Sequence, residues 1–172
     1  MYKLVIIMVL FPFFALGQNT MQLKGNKEYP GTQIWNFISP NYALTGEVSV
    51  QVARVDKGGV LKLAVATTNP AFIIKGTVYV YLSNQTIITC TDKGIFDNTS
   101  DSISSYFTFT DTEMQQLKKF NIQSIRFNIE GENKTFSSQT GNFTDINKKS
   151  FYHTTYNNES KIHETATEIK LL

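Results

Sequence analysis

Apolar and polar residues alternate through most of the chain between residues 47 and 130. In EVSVQV, Val48, Val50 and Val52 fall on one face and Glu47, Ser49 and Gln51 on the other, the period of two that marks a half-buried strand. Asp56-Lys57-Gly58-Gly59 then supplies turn residues, since glycine reaches positive φ without steric cost. VLKLAVAT resumes the alternation with Leu61, Leu63 and Val65 in phase. The pattern predicts a hairpin. Asn69-Pro70 ends its second arm, because proline has no N–H for a ladder and restricts the residue before it. TVYVYL, Ser83-Asn84-Gln85 and TIITCT predict a second hairpin, with β-branched and aromatic residues dominating both arms.

Residues 92–105 are turn-like, and SYFTFT predicts a further short strand. The period then changes. Thr110 and Glu113 have the spacing of a capping box, in which each side chain satisfies a backbone donor at a helix start. Met114, Leu117 and Phe120 follow three residues apart, which predicts one short helix near residues 111–120. QSIRFNI restores the alternation, with Ile125, Phe127 and Ile129 set against Ser124, Arg126 and Asn128.

Together these elements predict a mainly β protein: an antiparallel sandwich or barrel of about six or seven strands, with the helix closing one side. The single β-rich domain is expected over residues 32–145, after a polar lead at residues 18–31. Residues 146–172 carry few apolar side chains at any usable period. A segment that buries little does not offset its ordering entropy, so these residues are expected to form an exposed, flexible tail.

The chain opens with Lys3, an uninterrupted apolar run from Leu4 to Leu16, and Ala15-Leu16-Gly17. The run is shorter than the roughly 20 apolar residues of a membrane-spanning helix, and the small-x-small close suits signal peptidase. Residues 1–17 are therefore expected to be a signal peptide. The mature chain would begin at Gln18, exported to the periplasm, the outer surface or the medium, with no membrane span.

The full chain has 16 Lys+Arg and 14 Asp+Glu, and loss of Lys3 with the leader leaves 15 cations against 14 carboxylates. So even a balance gives no reason to expect nucleic acid as a partner, because phosphate binding needs clustered cations. One cysteine, Cys90, excludes a disulfide-stapled scaffold. It shares a strand face with Ile88 and precedes an acidic loop beginning at Asp92. Both burial and nearby carboxylates raise a thiol pKa, so an inert buried thiol is expected. An intermolecular disulfide is the alternative.

The only histidines, His153 and His163, lie in the expected tail. Neither a Cys–His nucleophile nor a zinc site is therefore expected. Asp92, Gly94, Asp97, Asn98 and Asp101 offer oxygen ligands around a glycine, as calcium requires. Their spacing is not that of an EF-hand, and the same residues suit an ordinary solvated turn. No pair of carboxylates stands in an apolar setting that would mark a raised pKa. Tyr79 and Tyr81 fall opposite Val78, Val80 and Leu82. With Trp35 and Tyr106 they are expected to be core if the sheet is covered on both faces. The alternative is a stacking platform for a sugar or peptide.

TQIWNFISPNYALTG, GTVYVYLSNQTIITCTDKG, YFTFTDTEMQQLKKFNIQSIRFNIEG and SSQTGNF together resemble an uncharacterised family of small exported proteins of Bacteroidetes-type bacteria. The resemblance spans most of residues 32–145. It implies an exported β-rich domain and transfers no catalytic, cofactor or metal residues. In a bacterial protein the Asn-x-Ser/Thr triplets at Asn84, Asn98, Asn133, Asn142 and Asn158 are accidents of composition, although in a eukaryotic secreted chain they would mark glycosylation. The expected role is that of an exported, non-enzymatic protein, acting by binding or as a cell-envelope component, without cofactor or metal. The alternatives are a carbohydrate- or peptide-binding module using exposed aromatics, and a small envelope hydrolase with an unrecognised carboxylate site.

Overall fold

In the computed structural model the period-two alternation becomes the inside and outside of a closed wall. The structure describes residues 19–23, 27–40, 46–131, 137–149 and 161–172. The expected signal peptide, His153, Asn133 and Asn158 lie outside the described residues. The wall runs through β3 (Trp35–Ile38), β4 (Glu47–Arg54), β5 (Gly59–Ala66), β9 (Ser102–Phe109), β8 (Ile87–Phe96), β7 (Val78–Leu82), β10 (Ile122–Glu130) and β11 (Gly141–Ile146), and β11 closes back onto β3. Every pairing is antiparallel. The result is an eight-stranded barrel, and closure removes the exposed edges that an open sheet must protect. An extra short strand, β6 (Ile73–Ile74), pairs with the far end of β10.

The predicted apolar faces point inward. Val48, Val50, Val52, Leu61, Leu63 and Val65 join Val78, Val80, Leu82, Ile125, Phe127 and Ile129 in one cluster, with Trp35, Phe37 and Phe107. The capping box forms at α1 (Asp111–Leu117): Glu113 N–H donates to Thr110 Oγ1 at 3.3 Å, and Thr110 N–H donates to Glu113 Oε2 at 2.7 Å. The backbone N–H of Gly58 in the β4–β5 turn donates to Asp111 Oδ1 at 2.9 Å, tying the helix start to the barrel end.

Three expectations need correction. The barrel has eight strands rather than six or seven, because β3 is only four residues long and β11 turns a polar residue, Asp145, toward the core. The polar lead is structured: β1 (Thr20–Leu23) and β2 (Lys27–Pro30) pair as a hairpin on the barrel's outer face. There Met21 packs on Ala53, Val60 and Tyr106, with the partly buried Leu23 and Tyr29 against the same cluster, so a few apolar side chains anchor a segment of largely polar composition.

The third correction concerns the tail. Residues 161–172 dock on the barrel, through a second, unexpected helix α2 (Thr165–Ile169) with Ile169 fully buried. Ile122 N–H donates to Thr165 Oγ1 at 2.8 Å, and Asn121 Oδ1 accepts from Ala166 N–H at 2.9 Å. Asn147 Nδ2 donates to the carbonyls of Ile122 and His163, and its Oδ1 accepts from His163 N–H. Glu168 Oε1 accepts from Trp35 Nε1 at 3.0 Å and from Gln33 Nε2 at 2.6 Å. Ile169, the partly buried Leu172 and a set of side-chain hydrogen bonds hold the segment, and two apolar anchors leave no periodicity to read. No helix among the described residues is long and apolar enough to cross a membrane.

Candidate functional site

The alternation that sends Val78, Val80 and Leu82 inward turns Tyr79 and Tyr81 outward, half-buried on the barrel's outer surface. β7 is paired on both sides. Tyr79 stands opposite Thr89 of β8 and Arg126 of β10, and Tyr81 opposite Ile87 and Ser124. Directly opposed residues share a sheet face and touch, so two tyrosine rings, an isoleucine, a threonine and a guanidinium form one surface. It floors an open groove of about 710 Å³. The turn Lys75-Gly76-Thr77 makes one rim, and Asn128 and Asn142 line the groove from β10 and β11. Gly76 takes φ +86° in that turn, and Lys75 N–H donates to the Asn128 carbonyl at 3.0 Å, which pins the rim to the wall. Lys75 Nζ lies 3.8 Å from Glu130 Oε2. Arg126 is exposed and has no carboxylate partner among the described residues.

The four aromatics proposed as a platform separate into two groups. Trp35 is in the barrel core, and Tyr106 is buried beneath the β1–β2 hairpin, where Lys62 Nζ lies 5.5 Å from its ring centroid. Only Tyr79 and Tyr81 face solvent, so the expectation that all four are core holds for two of them.

Cys90 faces inward opposite Val78 and is 3% exposed. Burial pushes its thiol far above the ordinary range, with Glu113 adding to the shift. The acidic neighbour is thus the capping-box glutamate rather than the loop at Asp92. Asp92 Oδ1 instead accepts from Gly94 N–H at 2.7 Å, within a bulge of β8.

The side chains of Asn98 and Asp101 are also engaged locally. Asn98 Nδ2 donates to the carbonyls of Pro70 and Phe72, and its Oδ1 accepts from Ser104 N–H, while Asp101 Oδ1 accepts from Thr99 Oγ1. Asn98 is a staple between two loops. Among the described residues, no three His, Cys, Asp or Glu side chains gather as a metal site would require. His163 stacks on Phe37 with centroids 6.1 Å apart, and burial lowers its pKa. Its partners are on β3, which is separated from Cys90 on β8 by three intervening strands in either direction round the barrel.

One group escaped the sequence entirely. Asp145 lies opposite Ile125 on the inner face of β11, is 2% exposed, and its Oδ1 has no hydrogen-bond partner. Burial raises its pKa to about 7, against a hydrogen bond from the Ser39 side chain that pulls the other way. The available signal was its phase: in GNFTDI, Asp145 shares a strand face with Phe143. No protein-family model, curated protein or solved structure matches this chain.

Proposed function

We propose that this protein is an exported, non-enzymatic binding module of the cell envelope whose ligand, a carbohydrate or a peptide, lies in the groove on β7, β8 and β10. The observation that carries this is the outward pair Tyr79 and Tyr81, set beside Arg126 on strands that are hydrogen-bonded on both sides. Tyrosine combines an apolar ring with a polar tip and suits a surface that is wet when empty and covered when occupied. Side chains fixed on paired strands hold their geometry better than side chains on loops. Export rests on the apolar run from Leu4 to Leu16 and on the resemblance to small exported proteins of Bacteroidetes-type bacteria. The hydrolase alternative has Asp145 as its best candidate for a general acid, but that carboxyl is 2% exposed and faces the packed barrel interior, away from any substrate on the surface.

The test is retention on arrays of glycans and peptides, with wild type compared with a Tyr79→Ala/Tyr81→Ala double variant of equal melting temperature. Loss of retention in the variant supports the proposal; equal retention by both proteins, or none by wild type, overturns it. Export has its own measurement, since intact mass of protein from the native envelope fraction should show a chain beginning near Gln18.

A further inference from the structure

Resting on the groove as a binding site, we infer that its ligand is an acidic glycan, whose uronic-acid carboxylate pairs with Arg126 while sugar rings lie on Tyr79 and Tyr81. The first step is backbone accounting. A peptide commonly binds a sheet by adding a strand to a free edge. β7 is occupied by β8 and β10, β10 by β7 and β11, and the barrel closes beyond them. A peptide lying over β7 and β10 has no ladder to join; strand addition is left only to Ile87–Cys90 of β8, a stretch paired with β7 alone. A sugar needs none, because its C–H face packs on an aromatic ring and its hydroxyls exchange hydrogen bonds with side chains. The groove offers both, with two tyrosines flanked by Thr77, Thr89, Asn128 and Asn142.

Charge then chooses among glycans. Among the described residues the groove lining contains two cations, Lys75 and Arg126, and no carboxylate. Lys75 is paired with Glu130 at its outer side, whereas Arg126 has no such partner among the described residues. Arg126 also stands directly across the ladder from Tyr79, so a ring lying on Tyr79 brings its substituents within reach of the guanidinium. The planar fork of arginine matches a carboxylate with two parallel hydrogen bonds. A groove of about 710 Å³ falls within the range of small-ligand sites and is open along its length, as a segment of a longer chain requires.

The test uses the full mature chain and calorimetric titration with short oligomers of galacturonate, glucuronate and mannuronate, each beside its carboxyl-reduced counterpart. At least one acidic oligomer should bind roughly tenfold or more tighter than its reduced form, the scale of one charged hydrogen-bonded pair. That preference should weaken with added salt and vanish in Arg126→Gln, an exposed substitution that leaves the melting temperature unchanged. Equal binding of the acidic and reduced forms, abolished by Tyr79→Ala, would overturn the acidic assignment while leaving the groove as a glycan site. Tyrosine-dependent binding of peptides with no oligomer bound would overturn the glycan class but not the groove. Absence of all binding would overturn both.

Discussion

Replacing Asp145 by Asn should convert a pH-dependent protein into one with a flatter stability profile between pH 4 and pH 8. The carboxyl faces the apolar interior opposite Ile125, with Oδ1 unpartnered, and burial raises its pKa from the usual 3.8 to about 7. Between those two values the folded protein keeps a proton that the unfolded chain releases, so stability falls as pH rises through this window and levels off above it. At 1.36 kcal/mol per pKa unit, a rise from 3.8 to about 7 corresponds to at most about 4 kcal/mol. Asn is isosteric with the protonated acid and does not ionise. The stability of wild type minus that of Asp145→Asn should therefore decrease by about 3 to 4 kcal/mol from pH 4 to pH 8. His163, whose pKa burial lowers, adds a term of opposite sign that both proteins share and the difference cancels. Urea unfolding provides the assay, followed by the fluorescence of Trp35, the only tryptophan and a fully buried core residue. A difference constant to within about 1 kcal/mol across that range would refute the buried carboxyl with its raised pKa.

The remaining expectations concern packing. Gly58→Ala should cost about 3 kcal/mol or more, because Gly58 has φ +84° and a Cβ there would collide with the Phe109 carbonyl; Gly94→Ala, at φ +65° with open space around it, should cost only about 1 kcal/mol in the same urea unfolding assay. Ile169→Ala should destabilise by about 2 to 4 kcal/mol by emptying a fully buried site, and a change below about 0.5 kcal/mol would mean that the terminal segment does not dock. Cys90 should label slowly with a thiol reagent in the folded protein and rapidly after denaturation, with Cys90→Ser costing about 1 to 2 kcal/mol; a covalent dimer on non-reducing gels would place the thiol at the surface.

The sequence by itself determined the hairpins β4–β5 and β7–β8, the strand β10, the capped helix and the inward burial of Cys90, because each is encoded by neighbours within one element. Alternation assigns a residue to a strand face, and Thr110 with Glu113 marks a helix start without reference to the rest of the chain. Only the tertiary structure decided what lies against those faces. Tyr79 and Tyr106 follow the same outward phase in their strands, yet Tyr106 is covered by a hairpin built from the polar lead and Tyr79 is left at the groove. Arg126 stands beside Tyr79 only through a register set by the pairing of strands distant in sequence. Asp145 and the α2 segment stayed illegible for a related reason. Their environments are made by β10, β3 and the ends of other strands, and no local period records a contact whose other half is elsewhere in the chain.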